Sequence, residues 1–413
     1  MIRASALFIV LVVSFVVGAI TSSIVFATFY YRLEVADLLI YKKLNTNLNS
    51  AVAELKVMSE ESIVDSLVWD LYDEGQDSVS VKVSPWGIFE IAQVSAFSNN
   101  KKIQKSFLFG YTLAKESNAA LHLGDSDRGL RVSGKTTVVG DCYLPQGVVK
   151  VANIDGSFYQ GPSKLVDGLV IKSSKVPIKL NPTIVHYLDD LLAAKSENYS
   201  FTETDTSAFV HSFSKDTYFI EYSQAQLQSL TRMKGNIVLY SNKPISLTTT
   251  MRLEDVIVVA PSVIVPENYK AALQIICTDS IVVKENATLL YPSALVLVKN
   301  KSTMPLAYIS LNKGSEVRGV ICAYSKFVNE ENVIVNIYKG ATVHGQVFSN
   351  ANVNCQGVIK GGIITNKLLL KTNVSINENC LLDAEVNVSK RSPHFIGSKL
   401  LPVSKQRGIV KWL

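Results

Sequence analysis

Charge is scarce in this chain. Asp, Glu, Lys and Arg make up 18% of its 413 residues, against about a quarter in ordinary soluble domains. From Ala4 to Phe29 there is no charged residue at all. The net charge of +6 is spread thinly, and without a basic block nothing points to a nucleic-acid partner. Cysteine is sparse as well. Cys142, Cys277, Cys322, Cys355 and Cys380 are odd in number, widely spaced and never in a C-x-x-C pair, which argues against a zinc ribbon, a thioredoxin-type site and a disulfide-dense scaffold. The histidines His122, His186, His211, His344 and His394 show no H-x-x-x-H or H-E-x-x-H spacing, and no P-loop, G-x-G-x-x-G or G-x-S-x-G is present. The sequence singles out no catalytic, cofactor-binding or metal-ligating residue and implies no cofactor.

What is there begins with the uncharged stretch itself. At about 1.5 Å per residue, a helix over residues 4–29 exceeds the roughly 30 Å hydrocarbon core of a bilayer, so these residues are expected to contact lipid. The competing reading is a cleaved signal peptide, with Arg3 as its basic start and Val25-Phe26-Ala27 at the cleavage point. No proline occurs before Pro85. Past Arg32 the residues Tyr41, Leu44, Leu48, Ala51 or Val52 and Leu55 recur at three and four, the period of one helical face. Membrane helix and amphipathic helix are therefore expected to form one rod from about residue 3 to about residue 58.

Six regions follow from changes in pattern: a transmembrane anchor (1–32), an amphipathic helix with a small antiparallel sheet (33–120), a glycine-punctuated β-region (121–176), a helical insertion or linker (177–234), a β-helix-like domain (235–390) and a C-terminal tail (391–413). In the second region Ser78–Ser84 alternates as a half-buried strand, Pro85-Trp86-Gly87 breaks it, and strands over 88–96 and 103–111 complete a meander. In the fourth, Asn181-Pro182 opens a helix through Leu192, and Ser223–Met233 reads as another.

From Gly235 onward, short apolar runs are separated by Asn, Gly, Ser and Lys corners. Lys313-Gly314-Ser315-Glu316-Val317-Arg318-Gly319 aligns without gaps on Lys339-Gly340-Ala341-Thr342-Val343-His344-Gly345, with a weaker copy at Glu285–Leu289 and an echo at Gly134–Gly140. Such a step fits one coil of a solenoid, in which Val317 and Val343 point inward and Arg318 and His344 outward. An antiparallel sandwich is the alternative. The fold class expected is mainly β: an N-terminal transmembrane and amphipathic helix, a small antiparallel meander, then an irregular β-solenoid.

The glycine-spaced copies at 313–319 and 339–345 resemble the rungs of bactofilin-type, polymer-forming β-helix proteins, which implies a membrane-associated scaffold without a catalytic centre. The front of the chain resembles type IV pilins and the pseudopilins of type II secretion in architecture. Met1-Ile2-Arg3-Ala4-Ser5-Ala6-Leu7-Phe8 nevertheless has neither the glycine cleavage site nor the glutamate of that family. The functional expectation is a non-enzymatic, single-pass envelope protein of the bacterial inner membrane, its C-terminal body outside the cytoplasm. It would act as a structural or assembly component, through self-association or contact with other envelope proteins. The alternative is a membrane-tethered glycan-binding or polysaccharide-processing β-helix, which would show an aromatic row or a carboxylate pair on one face of its coils. Asp125-Ser126-Asp127, Glu254-Asp255 and Glu330-Glu331 are acidic groupings read first as a solvated turn or as corners, and Asp189-Asp190 as the wet face of an amphipathic helix.

Overall fold

A computed structural model describes residues 2–58, 66–70, 77–98, 101–174, 178–193, 208–222, 230–300, 306–327, 332–372 and 374–413. The acidic pair Glu330-Glu331 lies outside them. The chain divides into two compact units, Met1–Lys82 with Val94–Lys105, and Val83–Gln93 with Ser106–Leu413.

The first unit is dominated by α1 (Ile2–Val57), a single 56-residue helix. No proline interrupts it, and its lower half carries the residues that the upper half lacks: Leu44, Leu48, Ala51, Val52 and Leu55 are buried. β1 (Ser66–Trp69) pairs antiparallel with the first half of β2 (Asp77–Trp86). β3 (Phe89–Ser98) and β4 (Lys101–Leu113) follow. At the start of β4, Lys101 is ion-paired with Asp37 and lies 5.2 Å over the Tyr41 ring, and Lys105 Nζ reaches Asn45 Oδ1 at 3.4 Å. Within the second unit Val403–Trp412 pairs antiparallel with the Phe107–Leu113 part of β4, so ten of the residues expected as a tail form a strand.

The second unit is a β-solenoid of parallel coils. Ala271, Leu289, Val317, Val343, Ile359, Val386 and Val138 are successive register partners, and all are buried inside the stack. The expected pairing of Val317 with Val343, and of Gly319 with Gly345, is the observed one. Gly345 is held at φ 144°, and a Cβ there would lie 1.9 Å from the Gly319 carbonyl oxygen; only glycine lets the coils approach so closely. At the opposite corner Asn268, Asn286, Gly314 and Gly340 all take positive φ, the conformation that Asn and Gly tolerate.

The coils are not stacked in chain order. Residues 121–123 lie on 363–365, 137–139 on 385–387 and 131–133 on 380–382, while 142–144 continue the stack to 170–172. The chain thus lays down one end of the solenoid first, leaves through α2 (Pro182–Ala193), restarts at the far end with Ala208–His211 and Tyr218–Glu221, and winds back coil by coil. Asn181 Oδ1 accepts the Thr183 N–H at 3.0 Å, so α2 opens with the expected cap. The second expected helix is corrected. Its Ser223–Ser229 part lies outside the described residues, but Arg232–Tyr240 is a strand, because Met233 is an interior residue stacked between Phe209 and Leu253.

One outer face of the coils is also apolar. Tyr240, Val259, Ile276, Val296, Cys322, Phe348 and Ile364 form a column along it. Within this unit Trp86, Ile88, Phe89 and Ile91, the α2 residues Ile184, Leu188 and Leu191, and Leu400 and Leu401 cover that face. Gln274 fixes the cover in place: its Oε1 accepts the Ile88 N–H at 2.9 Å and its Nε2 donates to the Trp86 carbonyl at 3.1 Å.

Candidate functional site

The chemistry-bearing residues named above do not converge. Asp125 and Asp127 belong to a turn, where Asp127 has φ 58° and Asn379 Nδ2 donates to Ser126 Oγ and the Arg128 carbonyl. Asp189 pairs with Lys326 at 2.6 Å, and Asp190 with His186 at 3.6 Å. His122 is buried and stacked on Tyr143, while His211 Nε2 donates to the Asp216 carbonyl at 2.9 Å. Among the described residues no three His, Cys, Asp or Glu side chains come together as metal ligands. All five cysteines are free and buried. Burial pushes the Cys142 and Cys355 thiols up to about 12, and Cys277, Cys322 and Cys380 upward as well, so none is an activated nucleophile.

Glu254 and Asp255 are held by two lysines, Lys411 lying 3.8 Å from Glu254 as well as against Asp255. Lys234 Nζ lies 2.8 Å from Glu254, and its hydrogen bond holds that carboxyl below the usual range. Asp255, at φ 55°, receives Lys411 Nζ on both oxygens at 2.7 Å. Its carboxyl is nevertheless pushed up, because desolvation outweighs the lysine. This is a clamp between a coil and the C-terminal strand rather than a reaction centre.

On the coil face opposite the inward valines, Arg318, His344 and Lys360 are register partners one above another. Glu316 Oε1 takes Arg318 Nε at 2.8 Å and His344 Nε2 at 2.9 Å. Burial works against the Glu316 carboxylate, but the Arg318 hydrogen bond and the surrounding positive charges win and hold its pKa down. No aromatic row crosses the coils at the position of Tyr308, whose successive partners are Ser280, Ile334, Asn352 and Lys367.

The largest unsatisfied surface is on α1. Leu7, Phe8, Phe15 and Phe26 are each about two-thirds exposed or more, and so are Tyr30 and Tyr31 next to Arg32. It is the one helix among the described residues long and apolar enough to cross a membrane. Thr21, Ser23 and Thr28 return their hydroxyls to backbone carbonyls one turn earlier, which removes their demand for water. The tyrosine pair followed by arginine is the composition of a bilayer–water boundary. Sequence alone exposed this surface, whereas the Glu316 cluster and the Asp255–Lys411 clamp depend on coil register and on a strand returning from the far end of the chain.

No known protein family and no curated protein matches this sequence. Among solved structures the chain is similar to the competence-associated pilin ComZ from Thermus thermophilus, at 11% identity over 92% of this chain and 95% of that one; with a TM-score of 0.19, the likeness bears on neither fold nor function.

Proposed function

We propose that this chain is a single-pass, membrane-anchored envelope protein whose β-rich body works by assembly or contact rather than catalysis. One observation carries the reading: a single uninterrupted helix exposes its apolar residues from Leu7 to Tyr31 and buries them from Leu44 onward. A soluble protein would have to hide these exposed residues, which here have no cover. The order of helix, antiparallel sheet and larger β-body supports a pilin-like or scaffold-like component. The coil steps, irregular between successive inward residues, set it apart from a uniformly repeating bactofilin-type rung. The compartment proposed is the bacterial inner membrane, with the second unit outside the cytoplasm.

Fractionation checks the anchor. The native chain should stay with membranes after carbonate washing, and a soluble form beginning near Thr28 would replace the anchor by a cleaved signal. Orientation has its own measurement. Because all five native thiols are buried, Glu267→Cys offers one reactive site at an exposed corner. A membrane-impermeant maleimide should label it in intact spheroplasts, and protection there would reverse the orientation.

A further inference from the structure

A polar groove of about 510 Å³ opens on the side of the solenoid where residues 137–139 stack on 385–387. That is within the size range of small-molecule sites. Its outer wall is the loop Gln160–Gly168, which is fastened to the coils at both ends. Gln160 N–H donates to the Gly134 carbonyl at 2.8 Å, Asp167 N–H to Val138 at 2.9 Å, and Gly140 N–H to the Asp167 carbonyl at 2.9 Å. A Cβ at Gly161 would lie 2.4 Å from the Thr136 carbonyl oxygen, and one at Gly168 would lie 2.2 Å from that of Gly140. The wall therefore sits on backbone and cannot be moved outward by side-chain growth.

Six polar side chains line the groove, and their charges cancel in place. Lys164 pairs with Asp167 at 2.7 Å and Lys390 with Glu385 at 2.6 Å. Asn387, 8% exposed, spends its Oδ1 on Ser389 Oγ and the Lys390 N–H and turns no acceptor outward. Thr137 adds a hydroxyl, while Val139 and Pro162 add apolar surface. An anion or a cation could bind only by competing with an ion pair already made. A neutral ligand rich in hydroxyl groups could bridge lysine and amide donors to carboxylate and hydroxyl acceptors without breaking either pair, and lay its C–H face on Val139 and Pro162.

We infer that this groove is a binding site for a neutral saccharide, held by Lys164, Asp167, Glu385, Lys390, Thr137 and Asn387. Binding there requires no catalytic step.

The test is isothermal titration of the full chain in nanodiscs with cellotetraose, maltotetraose, mannotetraose and chitotetraose as neutral probes, and with trigalacturonate and tetraglucosamine as anionic and cationic ones. Saturable binding of at least one neutral probe is expected, with both charged probes weaker. The double variant Thr137→Val with Asp167→Asn should bind about tenfold more weakly, the loss of a hydrogen bond or two, with an unchanged thermal midpoint. Glu267→Gln, outside the groove, should bind as the parent does. Absence of binding to all four neutral probes, preference for a charged one, or undiminished binding by the double variant would each overturn the assignment.

Discussion

A carboxylate at position 317 or 343 would enter a column in which every neighbour is apolar. Val317→Asp and Val343→Asp should each cost several kcal/mol, a large share of a total of about 5–15. Arg318→Ala should cost no more than about 0.5–1 kcal/mol, because its partner Glu316 keeps His344 and stays in contact with water. Thermal midpoints of the three variants decide the frame; equal tolerance at both valines would remove it. The imidazoles give a pH dependence. His122 is held below 6.5 by burial, against a smaller upward pull from Glu116, and His344 is held below by burial and by Lys360 and Arg318, against Glu316. The unfolded chain then takes up protons first on acidification, so their contribution is complete above about 6.5 and is lost as pH falls below it. The midpoint should drop between pH 7.5 and 5, and His122→Phe combined with His344→Gln should flatten that drop.

At the scale of elements, α1 was legible because an uninterrupted uncharged run and a three-four period each leave one reading, and α2 because Asn181-Pro182 is a cap with its proline in place. The solenoid frame was legible where two successive coils carry the same glycine-spaced corner, at 313–319 and 339–345. It faded where coil length changes, since residues such as Ala271, Ile359 and Val386 keep the inward position but not the spacing. Met233 was misread as helical because a short apolar run has no period of its own. The groove beside Thr137 and the clamp at Asp255 were invisible, because both join segments more than a hundred residues apart. The clamp can be taken apart by mutation. Lys411→Met should cost about 2–4 kcal/mol by leaving a buried carboxylate alone. Asp255→Asn should change stability by less than about 1 kcal/mol, because burial already disfavours the charge and Asn tolerates φ 55° as Asp does. A larger loss in Asp255→Asn than in Lys411→Met, by denaturant titration, would contradict this.

At the scale of the whole second unit, its two earliest-made coils are its last to find their seat. A fragment beginning at Ala208 would contain every coil to Glu385–Asn387 but leave Ile363, Leu381 and Val386 without the segments that stack on them. It should bind a hydrophobic dye and aggregate, while a fragment from residue 83, which keeps the covering Trp86, Ile88, Phe89 and Ile91, should not; sedimentation of the two compares them. The same arrangement sets a clock during synthesis. Leu121 leaves the ribosome about 240 residues before Ile363, its partner, and at about 5–20 residues per second the wait is roughly 12–48 s. Through that interval the nascent coils carry Leu121, Leu130, Val132 and Val138 with one side of their stack open. Their maturation is therefore timed by elongation, and slowing or pausing translation before codon 363 would lengthen dependence on a chaperone more than the same pause placed after it.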